Sequence, residues 1–146
     1  MSETNKAVVL EFIAAMGTSD PARAAPCLNA DAYTEVRNWS KFAGRRETDV
    51  IVGTIGAFDI LLPTGLCPEI VSMTAEEDRV VVEFEGRATA SDGTPYANNY
   101  CMVFTMRGGK IARVHEYFCS KLADDVLWPL VEKMGGAAAG EGETQA

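Results

Sequence analysis

The side chains best suited to chemistry lie near the end of the chain, in the stretch GGKIARVHEYFCSKL at residues 108–122. His115, the only histidine, is followed directly by Glu116 in a run with the composition of a buried strand. Imidazole titrates near neutral pH, and burial raises the pKa of a carboxyl toward neutrality, so either group could act as a general acid or base. Consecutive strand residues point to opposite faces of a sheet, so only one of the two can enter an interior site.

The length of the turn at Gly108-Gly109 decides which of them does so. A two-residue turn pairs Met102 with His115 and places His115 on the face of Tyr100. A loop one residue longer instead brings Glu116 opposite Tyr100. A shift of one residue reverses every side chain, and both faces of this strand are largely apolar, so the pattern itself leaves both registers open.

A second group of polar residues occupies alternate positions on the two predicted strands that precede this stretch. If Asp92-Gly93 forms a two-residue turn, Glu85 and Arg87 lie on one face with Asn98 and Tyr100. A tyrosine hydroxyl beside a carboxylate could donate a hydrogen bond to a developing oxyanion. The same alternation fits a solvated polar face without function, and Tyr100 fits a core aromatic residue whose hydroxyl has found a partner.

Aromatic and thioether side chains elsewhere could line an apolar pocket or belong to the core. The candidate substrate-binding residues are Ile13, Met16, Tyr33, Trp39, Phe58, Arg87, Asn98, Met102, Phe118 and Trp128. Such side chains suit an aromatic or polycyclic substrate. No metal-ligand cluster, phosphate-binding glycine loop or redox fingerprint is visible, so the sequence predicts proton-transfer chemistry without a metal or other cofactor.

Composition and charge limit the partners. The chain has 146 residues, 47% hydrophobic and 23% charged, which suits one globular domain. A net charge of −8 argues against nucleic acid or an anionic membrane and leaves a small molecule or a protein. The four cysteines lack metal-binding spacing, and neither a basic targeting region nor an apolar run near ~20 residues occurs, so we expect reduced thiols in a cytoplasmic protein.

The elements that must position these residues follow from periodicity and turn signals. The sequence predicts helices at 5–16, 20–28, 47–62 and 120–134, and strands at 32–38, 70–73, 79–90, 96–106 and 110–118. Helices, then antiparallel strands, then a closing helix form an α+β plan. We expect a curved antiparallel sheet wrapped around the N-terminal helices, a cone-shaped barrel with one open end and an internal pocket, built from a single domain at 5–134 with a disordered tail at 135–146.

Three stretches in this order resemble the SnoaL-like, ketosteroid-isomerase-like proteins, also called the nuclear-transport-factor-2-like superfamily. They are VVLEFIAAMGTSD in the first helix, FAGRRETDVI entering the third, and DGTPYANNYCMVFTMRGGKIARVHEYF. The resemblance implies the cone-shaped fold and a homodimer formed through the outer face of the sheet. Relatives carry an acid at the position of Glu116, so the resemblance favours Glu116 as the inward residue.

The superfamily contains isomerases, epoxide hydrolases, dehydratases, cyclases, lyases and proteins without chemistry, so the residues must decide. The tyrosine, base and second acid of ketosteroid isomerase correspond to Phe12, Val36 and Cys101 or Met102, which argues against that mechanism. The arginine that limonene epoxide hydrolase uses is replaced by Glu83, which disfavours epoxide hydrolysis.

We therefore expect a cofactor-independent isomerase, cyclase, dehydratase or retro-aldol-type lyase. Glu116 is the predicted general acid or base and Tyr100 its hydrogen-bonding partner, with Glu85 and His115 as further catalytic candidates. The alternatives are a small-molecule-binding protein without chemistry and a protein that only dimerises through its sheet.

Overall fold

The computed structural model describes residues 2–135, in which helices cover the inner face of one curved six-stranded sheet. The helices are α1 (Ser2–Gly17), α2 (Pro21–Ala24), α3 (Thr48–Leu61), α4 (Ser120–Leu122) and α5 (Trp128–Lys133). The strands are β1 (Leu28–Val36), β2 (Gly44–Glu47), β3 (Glu69–Glu76), β4 (Arg79–Thr89), β5 (Pro95–Arg107) and β6 (Lys110–Phe118). A 3₁₀ turn (Ala25–Cys27) follows α2, and a π-helical turn (Ala123–Leu127) joins α4 to α5.

The predicted α+β class and the curved, open sheet around the N-terminal helices are confirmed. The strand order is β2-β1-β6-β5-β4-β3, and all neighbours are antiparallel except β1 and β6, which are parallel. The domain limits of 5–134 stay a prediction, and residues 136–146 of the predicted tail lie outside the described residues. No helix among residues 2–135 is long and apolar enough to cross a bilayer.

The N-terminal helices form where their sequence signals predict. In α1, Val9, Phe12, Ile13 and Met16 are all buried, since a spacing of three and four residues places them on one face. The ring of Phe12 packs edge-on against Phe104 of the sheet, with centroids 6.1 Å apart. The helix α2 begins after Asp20, whose carboxylate accepts a hydrogen bond from the backbone nitrogen of Arg23 at 3.1 Å.

The hairpin between β5 and β6 has a tight turn. Gly108 and Gly109 connect Arg107 directly to its partner Lys110. Both glycines have positive φ, 60° and 77°, a backbone conformation that a β-carbon disfavours. Continued without interruption, this register would turn His115 into the interior.

A β-bulge beyond the turn reverses that outcome. Thr105 pairs with Arg113 rather than Ala112, so β6 contains one extra residue, and every later side chain changes face. Glu116 consequently pairs with Met102 and lies on the inner side of the sheet. The molecule thus combines the tight turn, which predicted an inward histidine, with an inward glutamate.

The connection between β4 and β5 is longer than predicted. These strands pair up to Thr89 and Pro95, so residues 90–94 form the loop and the predicted two-residue turn at Asp92-Gly93 is wrong. The side chain of Asp92 accepts a hydrogen bond from the backbone nitrogen of Thr94 at 3.0 Å, which stabilises the wider loop. The register consequently differs by one residue from the predicted one.

We expect the substitution Gly86→Ala to destabilise the protein by roughly 1–3 kcal/mol, the usual effect of overpacking a core. A β-carbon there would lie 2.7 Å from Cδ1 of Leu66, itself buried, and 3.1 Å from Cε2 of Tyr100. Gly53 provides the control: it lies exposed in α3, where an added β-carbon would have no atom within 4 Å, so Gly53→Ala should stabilise by about 0.5–1 kcal/mol. Urea unfolding measures both, and equal stabilities for wild type and Gly86→Ala would contradict the steric argument.

Candidate functional site

A cavity lies between the inner face of the sheet, α1, α3 and the π-helical turn, with a free volume of about 140 Å³. Its wall is mostly aliphatic and aromatic. The polar side chains in the wall are Ser19, Thr34, Arg46, Thr54, Tyr96, Tyr100 and Glu116. An apolar pocket with a few convergent polar groups is the usual form of a small-molecule site.

Glu116 supplies the only carboxylate among the described residues of this wall. It comes from β6, opposite the buried Met102. Burial raises the pKa of Glu116, and the positive charge of Arg46 lowers it again in part. A carboxyl whose pKa is raised toward neutrality is suited to taking up and returning a proton near neutral pH.

Arg46 is the counter-charge, and the sequence reasoning missed it. It lies in β2 with 8% of its surface exposed, and one guanidinium nitrogen, Nη2, donates to the carbonyl of Phe42 at 3.1 Å. Burial lowers the pKa of Arg46, while the charge of Glu116 raises it. The neighbouring Arg45 points the other way and lies over the ring of Tyr33, 3.6 Å from its centroid. Alternation within GRRE would have found the inward arginine, had this short strand been recognised.

Two tyrosines of β5 bring hydroxyl groups to the cavity. The hydroxyl oxygens of Tyr96 and Tyr100 are 2.7 Å apart, and Nδ2 of Asn98 donates to the Tyr96 hydroxyl at 2.9 Å. Burial raises the pKa of Tyr100 well above its ordinary value, and the charge of Glu116 adds to that effect. Tyr100 is therefore a neutral hydroxyl near the carboxylate, whereas Tyr96 was not among the predicted residues.

Tyr100 is held by aromatic neighbours. Its ring stacks on Phe84, with centroids 4.9 Å apart and an interplanar angle of 8°, and touches Phe118 at 5.7 Å. Phe118 is also its partner across the strands, so the predicted pairing of Glu116 with Tyr100 is wrong by two residues. Both side chains nevertheless face the same cavity.

Glu85 and Arg87 lie on the opposite side of the sheet, and the predicted shared face is wrong. Because the loop after β4 is longer than expected, Asn98 pairs with Gly86 and Tyr100 pairs with Phe84. The outward Glu85 and Arg87 bind each other, with Oε2 and Nη2 3.3 Å apart. Neither side chain reaches the cavity.

His115 also lies on the outer face. Its Nε2 is 4.0 Å from Oε1 of Glu35 on the adjacent strand β1. Burial lowers the pKa of His115, and the positive charges of Arg113 and Arg37 lower it further. The imidazole is consequently neutral near pH 7 and separated from the cavity by the sheet. The homodimer that this face could form stays a prediction.

The predicted substrate-binding residues divide into two groups. Met16, Phe58, Met102 and Phe118 lie in the cavity wall. They come from α1, α3, β5 and β6, respectively. Met16 and Phe58 face the cavity because each continues the inward apolar stripe of its helix.

The other predicted residues lie elsewhere. Ile13 is buried in the core, and Trp39 is 86% exposed on the loop after β1. Tyr33 is on the outer face beneath Arg45, because the inward position is taken by Thr34. Trp128 packs edge-on against Phe42, with centroids 5.2 Å apart, and so supports the cavity wall from behind. Asn98 is not in the cavity wall, and its Nδ2 donates a hydrogen bond to the Tyr96 hydroxyl.

Side chains that could bind a metal ion are dispersed over the described part of the chain. Within residues 2–135, no three side chains of histidine, cysteine, aspartate or glutamate lie close enough together to hold a metal ion. The polar groups that the cavity offers to a ligand are a carboxylate, a guanidinium and several hydroxyls.

Comparison with known proteins agrees with this architecture. Residues 9–114 match the family model described as SnoaL-like domain. PrhC from Penicillium brasilianum has 13% identity and a TM-score of 0.80 over 94% of this chain and 95% of that chain. An LEH-like epoxide hydrolase of M. tuberculosis has 17% identity and a TM-score of 0.71 over 92% and 98%. A Catenulispora acidiphila protein with a ketosteroid isomerase-like fold, in complex with trimethylamine, has 19% identity and a TM-score of 0.68 over 80% and 90%.

These likenesses concern the fold, and they confirm the superfamily resemblance predicted from the sequence. No curated protein matches the chain.

Proposed function

The chain belongs to the SnoaL-like domain family, and on this premise we propose that it is a cofactor-independent enzyme that transfers protons on a small, neutral carbonyl compound. The observation that carries the proposal is Glu116, a carboxylate with a raised pKa inside an apolar cavity that also holds the Tyr100 hydroxyl. A base and a hydrogen-bond donor in one apolar cavity are the two groups that enolate chemistry needs.

The proposed reaction begins with proton abstraction. The Glu116 carboxylate takes a proton from the carbon next to the carbonyl, and the electron pair of that C–H bond moves toward the carbonyl oxygen. Tyr100 donates a hydrogen bond to that oxygen as negative charge develops on it. The protonated Glu116 then returns the proton to the substrate. Return of the proton at a different carbon of an unsaturated ketone gives isomerisation, and its transfer to a departing β-hydroxyl group releases water and gives dehydration. In the reverse aldol sense Glu116 instead takes the proton of a β-hydroxyl group, the bond between the α- and β-carbons breaks with its electron pair forming an enolate, and Glu116 returns the proton to the enolate carbon.

The size of the cavity supports a substrate that places one ring inside. Its free volume of about 140 Å³ is close to the ~150 Å³ of an engineered apolar cavity that holds benzene. A polycyclic substrate, as predicted from the aromatic side chains, would have to leave its further rings at the cavity mouth.

The charge of the cavity supports a neutral substrate. Arg46 and Glu116 influence each other's pKa in opposite senses, as a cation and an anion do. When Glu116 is ionised, the two charges sum to zero, so the cavity has no net attraction for an anionic or a cationic substrate. An uncharged substrate also avoids the cost of transferring a charge into an apolar site.

We expect the wild-type protein to exchange the protons next to the carbonyl of ring ketones with deuterium from D₂O. The rate should rise with pH, because Glu116 acts as a base only when ionised, and it should level off above the raised pKa of that carboxyl. Proton NMR of cyclohexanone, cyclohexenone and acetophenone in D₂O measures the loss of the exchanging proton signals directly and does not require the natural substrate.

Two other outcomes would change the assignment. Ketones that bind, as seen by saturation transfer, yet exchange no faster than in buffer would make the protein a small-molecule-binding member of the family. Exchange that does not vary with pH between the acidic and neutral range would exclude a carboxylate as the base.

A further inference from the structure

The hydrogen-bond chain behind Tyr100 has a direction, and the backbone sets it. Asn98 lies buried beside Cys119, the residue before α4. Its Oδ1 accepts from the Cys119 backbone nitrogen at 3.0 Å, and its Nδ2 donates to the Cys119 carbonyl at 3.0 Å. A backbone N–H can only donate and a carbonyl can only accept, so these two contacts fix which end of the amide is nitrogen.

The second hydrogen of Nδ2 therefore points to the Tyr96 hydroxyl, 2.9 Å away, and Tyr96 accepts it. The Tyr96 side chain is buried, and its other hydroxyl contact within residues 2–135 is the Tyr100 oxygen at 2.7 Å. In either direction of that contact, one of the two hydroxyl protons has no acceptor within residues 2–135 and must face the cavity that both tyrosines line. Tyr96 is only 3% exposed, whereas Tyr100 is only partly buried, so the outward proton is accommodated better on Tyr100 and Tyr96 is assigned as the donor.

We propose that Asn98 and Tyr96 are positioning residues that make the Tyr100 hydroxyl a hydrogen-bond donor into the cavity. The cavity therefore selects ligands with an acceptor oxygen, such as ring ketones. The Tyr100 oxygen accepts from Tyr96, so its own proton is directed away from that bond and toward the cavity that Tyr100 lines. Donation from Tyr96 also polarises the Tyr100 hydroxyl and strengthens its outgoing bond. The inference rests on the proposed use of the cavity as a ligand site, and it holds with or without catalysis.

The direction is testable without a ligand. In protein with ¹³C-labelled tyrosine rings, the proton between the two hydroxyl oxygens should correlate through bonds with the ring carbons of Tyr96. In Asn98→Asp at alkaline pH, the ionised carboxylate cannot donate a hydrogen bond and instead accepts one from Tyr96. Tyr100 must then donate to Tyr96, so the shared proton should correlate with the ring carbons of Tyr100 instead. A wild-type correlation with the Tyr100 ring would overturn the proposal.

Ligand selection gives the second test. Wild type should bind cyclohexanone in preference to methylenecyclohexane, which has the same shape without the oxygen. Tyr96→Phe should reduce that preference by at most roughly tenfold, the worth of one neutral hydrogen bond, because Tyr100 can still donate but its proton is no longer held toward the cavity or strengthened by an incoming bond. Asn98→Asp at alkaline pH should abolish the preference, since Tyr100 then presents an acceptor. Tyr117→Phe, which removes an exposed hydroxyl from the outer face of the same sheet, is the matched control and should leave the preference unchanged.

The outcomes separate this inference from the proposed reaction. Equal affinity of wild type for the two probes, or an unchanged preference in Tyr96→Phe and Asn98→Asp together, would overturn the role of the chain. Both measurements are also made in the Glu116→Gln background. A preference for cyclohexanone that persists there supports the role of the Asn98–Tyr96–Tyr100 hydrogen bonds, even if wild type shows no proton exchange. Thermal unfolding of each variant identifies any general loss of structure.

Discussion

Glutamine in place of Glu116 should slow proton exchange on ring ketones by roughly a hundredfold to ten-thousandfold, the range that a positioned general base contributes. The amide has the shape of the carboxyl and fits opposite Met102, but it accepts no proton at neutral pH. Because the apolar wall is unchanged, binding should persist and the loss should fall on kcat rather than KM. The residual rate should no longer rise with pH, since the group that titrates has been removed.

The control for this substitution is Glu85→Gln. Glu85 lies on β4, separated from β6 by β5, and on the outer face of the sheet, where it is bound to Arg87. The same change of charge without access to the cavity should leave the exchange rate within about twofold of wild type, as expected for a surface substitution away from the site. Exchange by Glu116→Gln close to that of Glu85→Gln would mean that another group is the base.

The helices α1 and α2 could be predicted because residues within one short segment determine where each of them forms. The stripe Val9, Phe12, Ile13 and Met16 buries one side of α1, and a helix is the only regular structure with that spacing. Asp20 before Pro21 is a helix start whose reason is a hydrogen bond within four residues. In both cases the residues that determine the structure are close together in the sequence, so the sequence pattern alone identifies the element.

Strand register could not be predicted in the same way. The inward position of Glu116 depends on the extra residue at Ala112, and nothing in its composition distinguishes it from a regular strand residue. A bulge is selected by the fit of the whole strand against its neighbours, including β1 on its far side. The resemblance to known relatives favoured the correct residue, while the turn alone favoured His115.

Glu85 was placed on the wrong face and Arg46 was missed for related reasons. Glu85 was placed inward by a turn that is in fact the longer loop at 90–94, so an error of one residue moved a charged side chain through the sheet. Arg46 lies on a four-residue strand that exists because β1 offers it a partner. Two adjacent arginines suggest a solvated segment, and only the pairing shows that one of them is buried.

Methionine in place of Arg46 should lower the free energy of unfolding at neutral pH by up to about 3–5 kcal/mol, the effect of removing one partner of a buried charge pair. Methionine retains an unbranched stem for packing, so the loss is mainly electrostatic. The positive charge that lowers the pKa of Glu116 is gone, and burial alone then raises it further. The exchange rate on ring ketones should reach its plateau at a higher pH than in wild type.

The pH dependence of stability separates this electrostatic loss from lost packing. A carboxyl whose folded pKa is raised above its unfolded value of roughly 4.3 is protonated more fully in the folded state, so stability falls as pH rises between the two values. In Arg46→Met the folded pKa of Glu116 is higher still, and the decline continues to higher pH. The deficit relative to wild type should be small in acid and grow as pH rises through the interval between the two folded pKa values.

The double substitution Arg46→Met with Glu116→Gln completes the cycle. It removes the carboxyl that the single substitution leaves buried, so much of the lost stability should return at neutral pH and its pH dependence should disappear. Urea unfolding across the pH range measures all three variants. A deficit of equal size at every pH, undiminished in the double variant, would mean that Arg46 acts through packing and its hydrogen bond to Phe42, and that the charge of Glu116 is controlled by burial alone.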